Sequence, residues 1–185
     1  MFFLENEEIG LRSLNLRDIE NGYFEWLNDE EICQYNSHHV FPMTKEKAEN
    51  YIKTVNISNS ELVFAVIVKK HKKHIGNISL QKIDIFNRQA EIAFLFGDKE
   101  LSNKGYATMA AKLLIKHAFR SLGLNRLYFG TMDNNIKMQR VGEKCAFKKV
   151  GCRRQAMYKN GSYHDIYEYD LLREEWENKN YRKGY

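Results

Sequence analysis

The sequence predicts a mixed α/β domain in which an antiparallel meander feeds a βαβ-like half. Three observations carry this. Apolar runs rich in Val, Ile and Phe, at residues 62–68 and 90–96, read as buried strands. From residue 90 a strand, a turn and an amphipathic helix follow in series, and a further strand begins at Arg126. Near the other end Asn160-Gly161 joins two strand-like segments, a strong short-range hairpin signal.

The elements follow in order. Residues 8–14 read as a first strand. Leu16, Ile19, Tyr23, Trp26 and Leu27 recur at spacings of three and four, which predicts one amphipathic helix. Thr44 stands where an N-cap belongs, ahead of Ala48, Tyr51, Ile52 and Val55, so a second helix starts there. Residues 62–68 and 75–80 pair as strands around Lys69-Lys70-His71-Lys72-Lys73-His74, read as a solvated basic tip. Residues 90–96 form the next strand, a central one. A long helix covers 104–122, with Gly123 placed to cap it. A strand at 126–130, a short helix at 136–145 and the hairpin strands at 150–158 and 163–172 complete about seven strands and about four helices. The chain reads as one domain over 1–176, with a polar tail at 177–185 expected to fray.

Composition narrows the function. At 185 residues, with 43% hydrophobic and 29% charged residues, the chain suits one globular domain rather than a disordered or fibrous protein. No apolar run approaches the roughly 20 residues of a membrane helix. Glu5, Glu7 and Glu8 break the apolar start, so no signal peptide is expected and the reading is cytoplasmic. Cys33, Cys145 and Cys152 form no C-x-x-C pair and read as reduced thiols, and the six histidines show no zinc spacing, so no metal is expected. The net charge of +5 suits an anionic partner, either a nucleic acid or a phosphorylated co-substrate. Basic and acidic residues are interspersed and no nucleic-acid-binding signature appears, which ranks the nucleic-acid module second.

The segment richest in chemistry is the turn after residue 96. Ser102-Asn103-Lys104-Gly105-Tyr106-Ala107-Thr108 opens a helix directly after a central strand. A helix N-terminus presents free N–H groups and partial positive charge, which suits a pyrophosphate. The P-loop pattern and G-x-G-x-x-G are both absent, which sets aside kinase and dehydrogenase readings.

This segment resembles the pyrophosphate motif [QR]-x-x-G-x-[GA] of the GNAT superfamily of acetyl-CoA-dependent N-acetyltransferases. Gly105 and Ala107 match it, and Ser102 and Asn103 depart from it. Trp26-Leu27-Asn28-Asp29, Ala90-Glu91-Ile92-Ala93-Phe94, Asn135 with Cys145-Ala146-Phe147, and Asn160 to Trp176 resemble further family segments in the same order. The likeness covers roughly residues 8 to 176 and is greatest to the ribosomal-protein N-terminal and polyamine acetyltransferase branch.

The resemblance implies a sheet splayed at two central strands, with the pantetheine arm of acetyl-CoA between them. Phe94, Leu95 and Phe96 would line that arm, with a backbone N–H near Leu95 polarising the thioester. Asn103, Lys104, Gly105, Tyr106, Ala107 and Thr108 would hold the pyrophosphate, and Asn135 would contact the pantetheine. Glu91 is the family's carboxylate for deprotonating the amine, with His38 as an imidazole alternative. Trp26, Tyr35 and His39 would meet the acceptor. The Tyr that many relatives carry seven residues after the Asn is Gly142 here, and Met138 replaces a common Ser, so the thiolate is expected to leave with help from water or another group, such as Tyr35 or Tyr106, or catalysis is feeble. The implied acceptor is a primary amine of an amino sugar, polyamine or antibiotic, or a protein N-terminus. Homodimers are common in the family. An acyl-CoA sensor without turnover is the further alternative.

Overall fold

The computed structural model describes residues 1–102 and 104–181. The apolar run at 62–68 becomes an inner strand, β3 (Leu62–Val68), buried at all but its first residue. It belongs to one eight-stranded sheet with β1 (Leu4–Glu5), β2 (Ile9–Ser13), β4 (Lys73–Asp84), β5 (Gln89–Phe96), β6 (Arg126–Met132), β7 (Lys148–Lys159) and β8 (Ser162–Leu172). The strand order is β1-β2-β3-β4-β5-β6-β8-β7. Every neighbouring pair is antiparallel except β5 and β6, which are parallel, as a helical crossover requires.

Helices cover both faces. α1 (Phe24–Asn28) and α2 (Lys45–Val55) pack Trp26, Leu27, Ala48, Ile52 and Val55 against Val63, Ala65 and Ile67 of β3. The side chain of Thr44 caps α2 by accepting from the Lys47 N–H at 3.2 Å. On the opposite face α3 (Tyr106–Arg120) buries Ala110, Ala111, Leu114, Ile115, Ala118 and Phe119 against the other side of the sheet. α4 (Ile136–Lys144) and α5 (Arg173–Tyr181) complete five α-helices among the described residues.

The structure revises three expectations. The helix read across 16–27 is broken: residues 19–23 form a π-turn in which Gly22 takes φ 102°, and α1 proper starts only at Phe24. The stretch read as a tail from residue 177 begins inside a helix, since α5 continues to Tyr181 and the Trp176 ring packs on Phe119, centroids 5.5 Å apart. The basic tip is solvated over Lys70–Lys73, as expected, but not at its ends: Lys69 bonds Glu5 and His74 is buried inside the sheet, while exposed Lys73 also lies 2.7 Å from Asp98.

The feature that shapes the site lies between β5 and β6. Only Gln89, Ala90 and Glu91 pair with Arg126, Leu127 and Tyr128. Beyond them β5 keeps its pairing with β4, while β6 continues beside β8 to Met132. The sheet parts there, at the position where the resemblance implied a splay.

Candidate active site

Two cavities meet at the parting. The larger, about 590 Å³, lies on the α3 side and is lined by Phe94, Phe96, Gly97 and the turn through Ser102 and Gly105 to Thr108. Asn135, Lys137, Met138, Arg140, Val141 and Lys144 of α4 and its cap close its other wall. The smaller, about 280 Å³, lies on the α1/α2 side, lined by Tyr23, His38, Lys47, Tyr51, Glu61 and the β4 residues Asn77, Ser79 and Gln81. Phe94 lines both.

The larger cavity is built for an anion. Gly105 enters α3 with φ 85°, a left-handed conformation that favours glycine, and a Cβ there would meet nothing within 4 Å. The first bond into the helix runs from Met109 N–H to Gly105 O, so the N–H groups of Tyr106, Ala107 and Thr108 have no acceptor within the helix. Lys137, Arg140 and Lys144 face this end from α4 with no ion pair among the described residues. Lys99, by contrast, is held by Asp29 and Glu31. Amides and cations without a partner among the described residues, set at a helix N-terminus, fit the phosphates of a nucleotide-like ligand.

The backbone of β5 can polarise a carbonyl placed in the parting. Gly97 N–H donates to Ile75 O at 3.2 Å, and the register of Gly76 with Phe96 and Asn77 with Leu95 continues from that bond. Antiparallel ladders alternate, so the N–H groups of Ala93 and Leu95 turn to β4. Those of Phe94 and Phe96 turn to the side that β6 has left. Of the N–H groups near Leu95, those of its neighbours Phe94 and Phe96 are therefore the ones turned to the parting, and Leu95 itself lines the smaller cavity.

The acceptor-side groups separate into those that reach a cavity and those that do not. His38 lines the smaller cavity, and its pKa is lowered, first by burial of the ring and then by the Lys159 ammonium. The residue is nonetheless exposed overall, so solvent screening discounts the shift, and its direction leaves the ring unprotonated, if a weaker base, near pH 7. Lys159 fixes this loop, donating to the carbonyls of Asn36 at 3.1 Å and His38 at 2.8 Å. Tyr23 and Tyr51 stay protonated, since burial raises both phenols. Tyr35 and Tyr106 line the larger cavity.

Glu91 lines neither cavity. It sits where β5 and β6 are still paired and bonds Lys82 Nζ at 2.7 Å. Trp26 is a core residue, 7% exposed, packed so closely that a Cβ on Gly97 would lie 2.1 Å from its ring. His39 is exposed with φ 60° and lines neither cavity. Lys104 is likewise exposed and outside both, and Asn103 lies outside the described residues. Asn135 caps α4, its side chain accepting from Met138 N–H at 3.3 Å at the edge of the larger cavity. Gly142 is buried against Phe129 and does not face the cleft.

Two groups of site residues escaped the sequence reading. Lys137, Arg140 and Lys144 recur at helical spacing, and Asn77, Ser79 and Gln81 alternate along β4; both patterns are visible in the chain.

Comparison with known proteins agrees with this geometry. The family model for the acetyltransferase (GNAT) domain matches residues 8–148. YdaF of Bacillus subtilis, by its name a candidate ribosomal N-acetyltransferase, is 41% identical over 102 residues, which is 55% of this chain and 55% of that protein. This chain thus spans about half the length of that relative. A crystal structure of a probable acetyltransferase superposes with a TM-score of 0.84 at 30% identity, covering 94% of this chain and 99% of that one. Spermidine N-acetyltransferase from Vibrio cholerae, solved with CoA and spermine, shares the fold with a TM-score of 0.83 at 24% identity, covering 94% and 100%. The chain belongs to the acetyltransferase (GNAT) domain family.

Proposed function

We propose that this chain binds acetyl-CoA in the larger cavity and passes its acetyl group to a primary amine, of a small molecule or a protein N-terminus, held in the smaller one. The observation that carries the reading is the parting of β5 from β6, at which Phe94 lines both cavities. Acetyl-CoA supplies the thioester; everything else falls to the chain.

The α3 N-terminus takes the pyrophosphate on the N–H groups of Tyr106, Ala107 and Thr108, with Lys137, Arg140 and Lys144 adding positive charge. The N–H groups of Phe94 and Phe96 point at the parting and stabilise negative charge on a carbonyl oxygen placed there. A protonated amine has no lone pair to attack with. His38, neutral and in the acceptor cavity, is placed to take that proton. Tyr35 and Tyr106, on the thioester side, are the phenols available to protonate the departing thiolate. Two protons leave the nitrogen in all: the ammonium proton passes to His38 before attack, and a second departs as the C–N bond forms and the C–S bond breaks, balanced by the one a phenol gives to the sulfur.

The test is calorimetric titration with acetyl-CoA, followed by thiol release against a panel of amines. Micromolar binding with turnover on one class of amine is the expected result. Binding with no turnover on any amine would instead mark an acyl-CoA sensor, and absence of binding would overturn the reading.

A further inference from the structure

The floor of the smaller cavity carries a polar group that is not free to turn. Asn77 is 5% exposed and lines the cavity from β4. The Nε2 of His74 lies 3.0 Å from Gly76 O and 2.8 Å from Asn77 Oδ1. A backbone carbonyl can only accept, so Nε2 carries the ring's proton, and the Asn77 atom it meets must be the oxygen. With Oδ1 committed, the Nδ2 amino group is the end of Asn77 left for the cavity.

The surroundings hold this arrangement. His74 Nδ1 is then a bare nitrogen, which explains why it makes no hydrogen bond although Asp18 Oδ1 lies 3.6 Å away: each presents a lone pair to the other. Asp18 is wholly buried and fixed by Arg12 at 2.8 and 2.6 Å and by Asn15 N–H at 2.8 Å. Trp26 meets the imidazole with ring centroids 4.9 Å apart. A register shift between Val66 and Ile67 explains how His74 and Asn77, three residues apart, come to share one face of the sheet.

We infer that Asn77 is a specificity residue whose amino group, aimed by His74, donates to a carbonyl oxygen beside the amine to be acetylated. The inference rests on the acetyl transfer proposed above and names its substrate class: α-amino carbonyl compounds, of which a free peptide N-terminus is the simplest macromolecular example. A protonated polyamine offers only N–H donors, so beside it the Asn77 N–H groups would stay unpaired in a desolvated site. The charged lining points the same way. One carboxylate, Glu61, and one ammonium, Lys47, suit a single amine rather than a row of them. His74 touches no substrate and is a positioning residue.

The experiment compares thiol release from acetyl-CoA with alanine amide and with 1,3-diaminopropane, in the wild type and in Asn77→Asp, His74→Gln and His74→Phe. The Asp variant keeps an oxygen for His74 and loses the cavity N–H groups. Its kcat/KM ratio of amide to diamine is expected to fall roughly tenfold, mainly through KM for the amide. His74→Gln, which retains an N–H donor, is expected to hold more of that ratio than His74→Phe, with urea midpoints reporting any general loss of stability. An unchanged ratio in Asn77→Asp, or a wild type that prefers the diamine, would overturn the inference while leaving acetyl transfer standing. Failure of the reaction itself has another signature, no thiol release with any amine, and then both fall.

Discussion

Gly142 offers a sharp test of which way α4 faces. The family resemblance puts this position where many members carry a tyrosine; in the fold it belongs to the core. A Cβ at Gly142 would lie 2.7 Å from Phe129 Cζ and 3.1 Å from Cε1. Phe129 cannot retreat, being stacked on Tyr169 (centroids 4.9 Å apart, planes 4° apart) and set edgewise against Phe147 at 5.1 Å. Alanine at 142 gains up to about 1 kcal/mol in helix propensity and loses about 1–3 kcal/mol to overpacking. The net expectation for Gly142→Ala is a loss of about 0–3 kcal/mol, or up to about 6–12 °C in Tm for a domain of this size. Gly142→Tyr, which must seat a whole ring in the same space, is expected to lose more and to gain no turnover. Urea unfolding and thiol release on the two variants read both quantities. A Gly142→Tyr protein of undiminished stability, or one with faster turnover, would refute the packing argument and turn this face of α4 to the cleft.

Three further outcomes are expected. Arg140→Ala should weaken acetyl-CoA binding roughly tenfold and flatten its salt dependence, because Arg140 faces the cavity without an ion pair among the described residues; equal affinities by calorimetry at two salt concentrations would contradict this. Of Tyr35→Phe and Tyr106→Phe, one should lower kcat by about 10²–10⁴-fold, and full activity in both would remove phenols as the thiolate's proton source. Stability should decline as pH falls from 7.5 to 5.5: burial lowers the His74 pKa below its ordinary 6.5, so the unfolded chain takes up a proton there that the native chain resists. That contribution is complete above pH 6.5 and is lost as pH falls through the native value. His74→Gln should reduce the slope in urea-unfolding measurements, and an unaltered slope would mean that other groups set it.

The fold was legible wherever one pattern governed an element. The apolar run of β3, the Thr44 cap and the Asn160-Gly161 turn each need only local chemistry, and each stands where expected. Gly22 shows the limit, since the apolar spacing passes through it unbroken while its φ of 102° breaks the helix. Trp26 and Glu91 show a second limit. A motif position says which residue is placed, whereas burial against Gly97 and pairing with Lys82 decide what it can touch. The smaller cavity depends on side chains from β4, β5, α1, α2 and the loop of His38, and no local spacing joins these in the sequence. The larger cavity was easier to read, because the Gly105 turn supplies most of one wall from a single stretch of chain.

The three-rung seam between β5 and β6 has a consequence for exchange with solvent. Past Glu91 the inner edges of two central strands behave like the rim of a sheet, with N–H groups directed into a cavity. The amides of Phe94 and Phe96 should therefore lose deuterium protection that Ala93 and Leu95, bonded to β4, retain. Protection would alternate residue by residue along one buried strand, a checkerboard that filling of the parting by a bound thioester arm would erase.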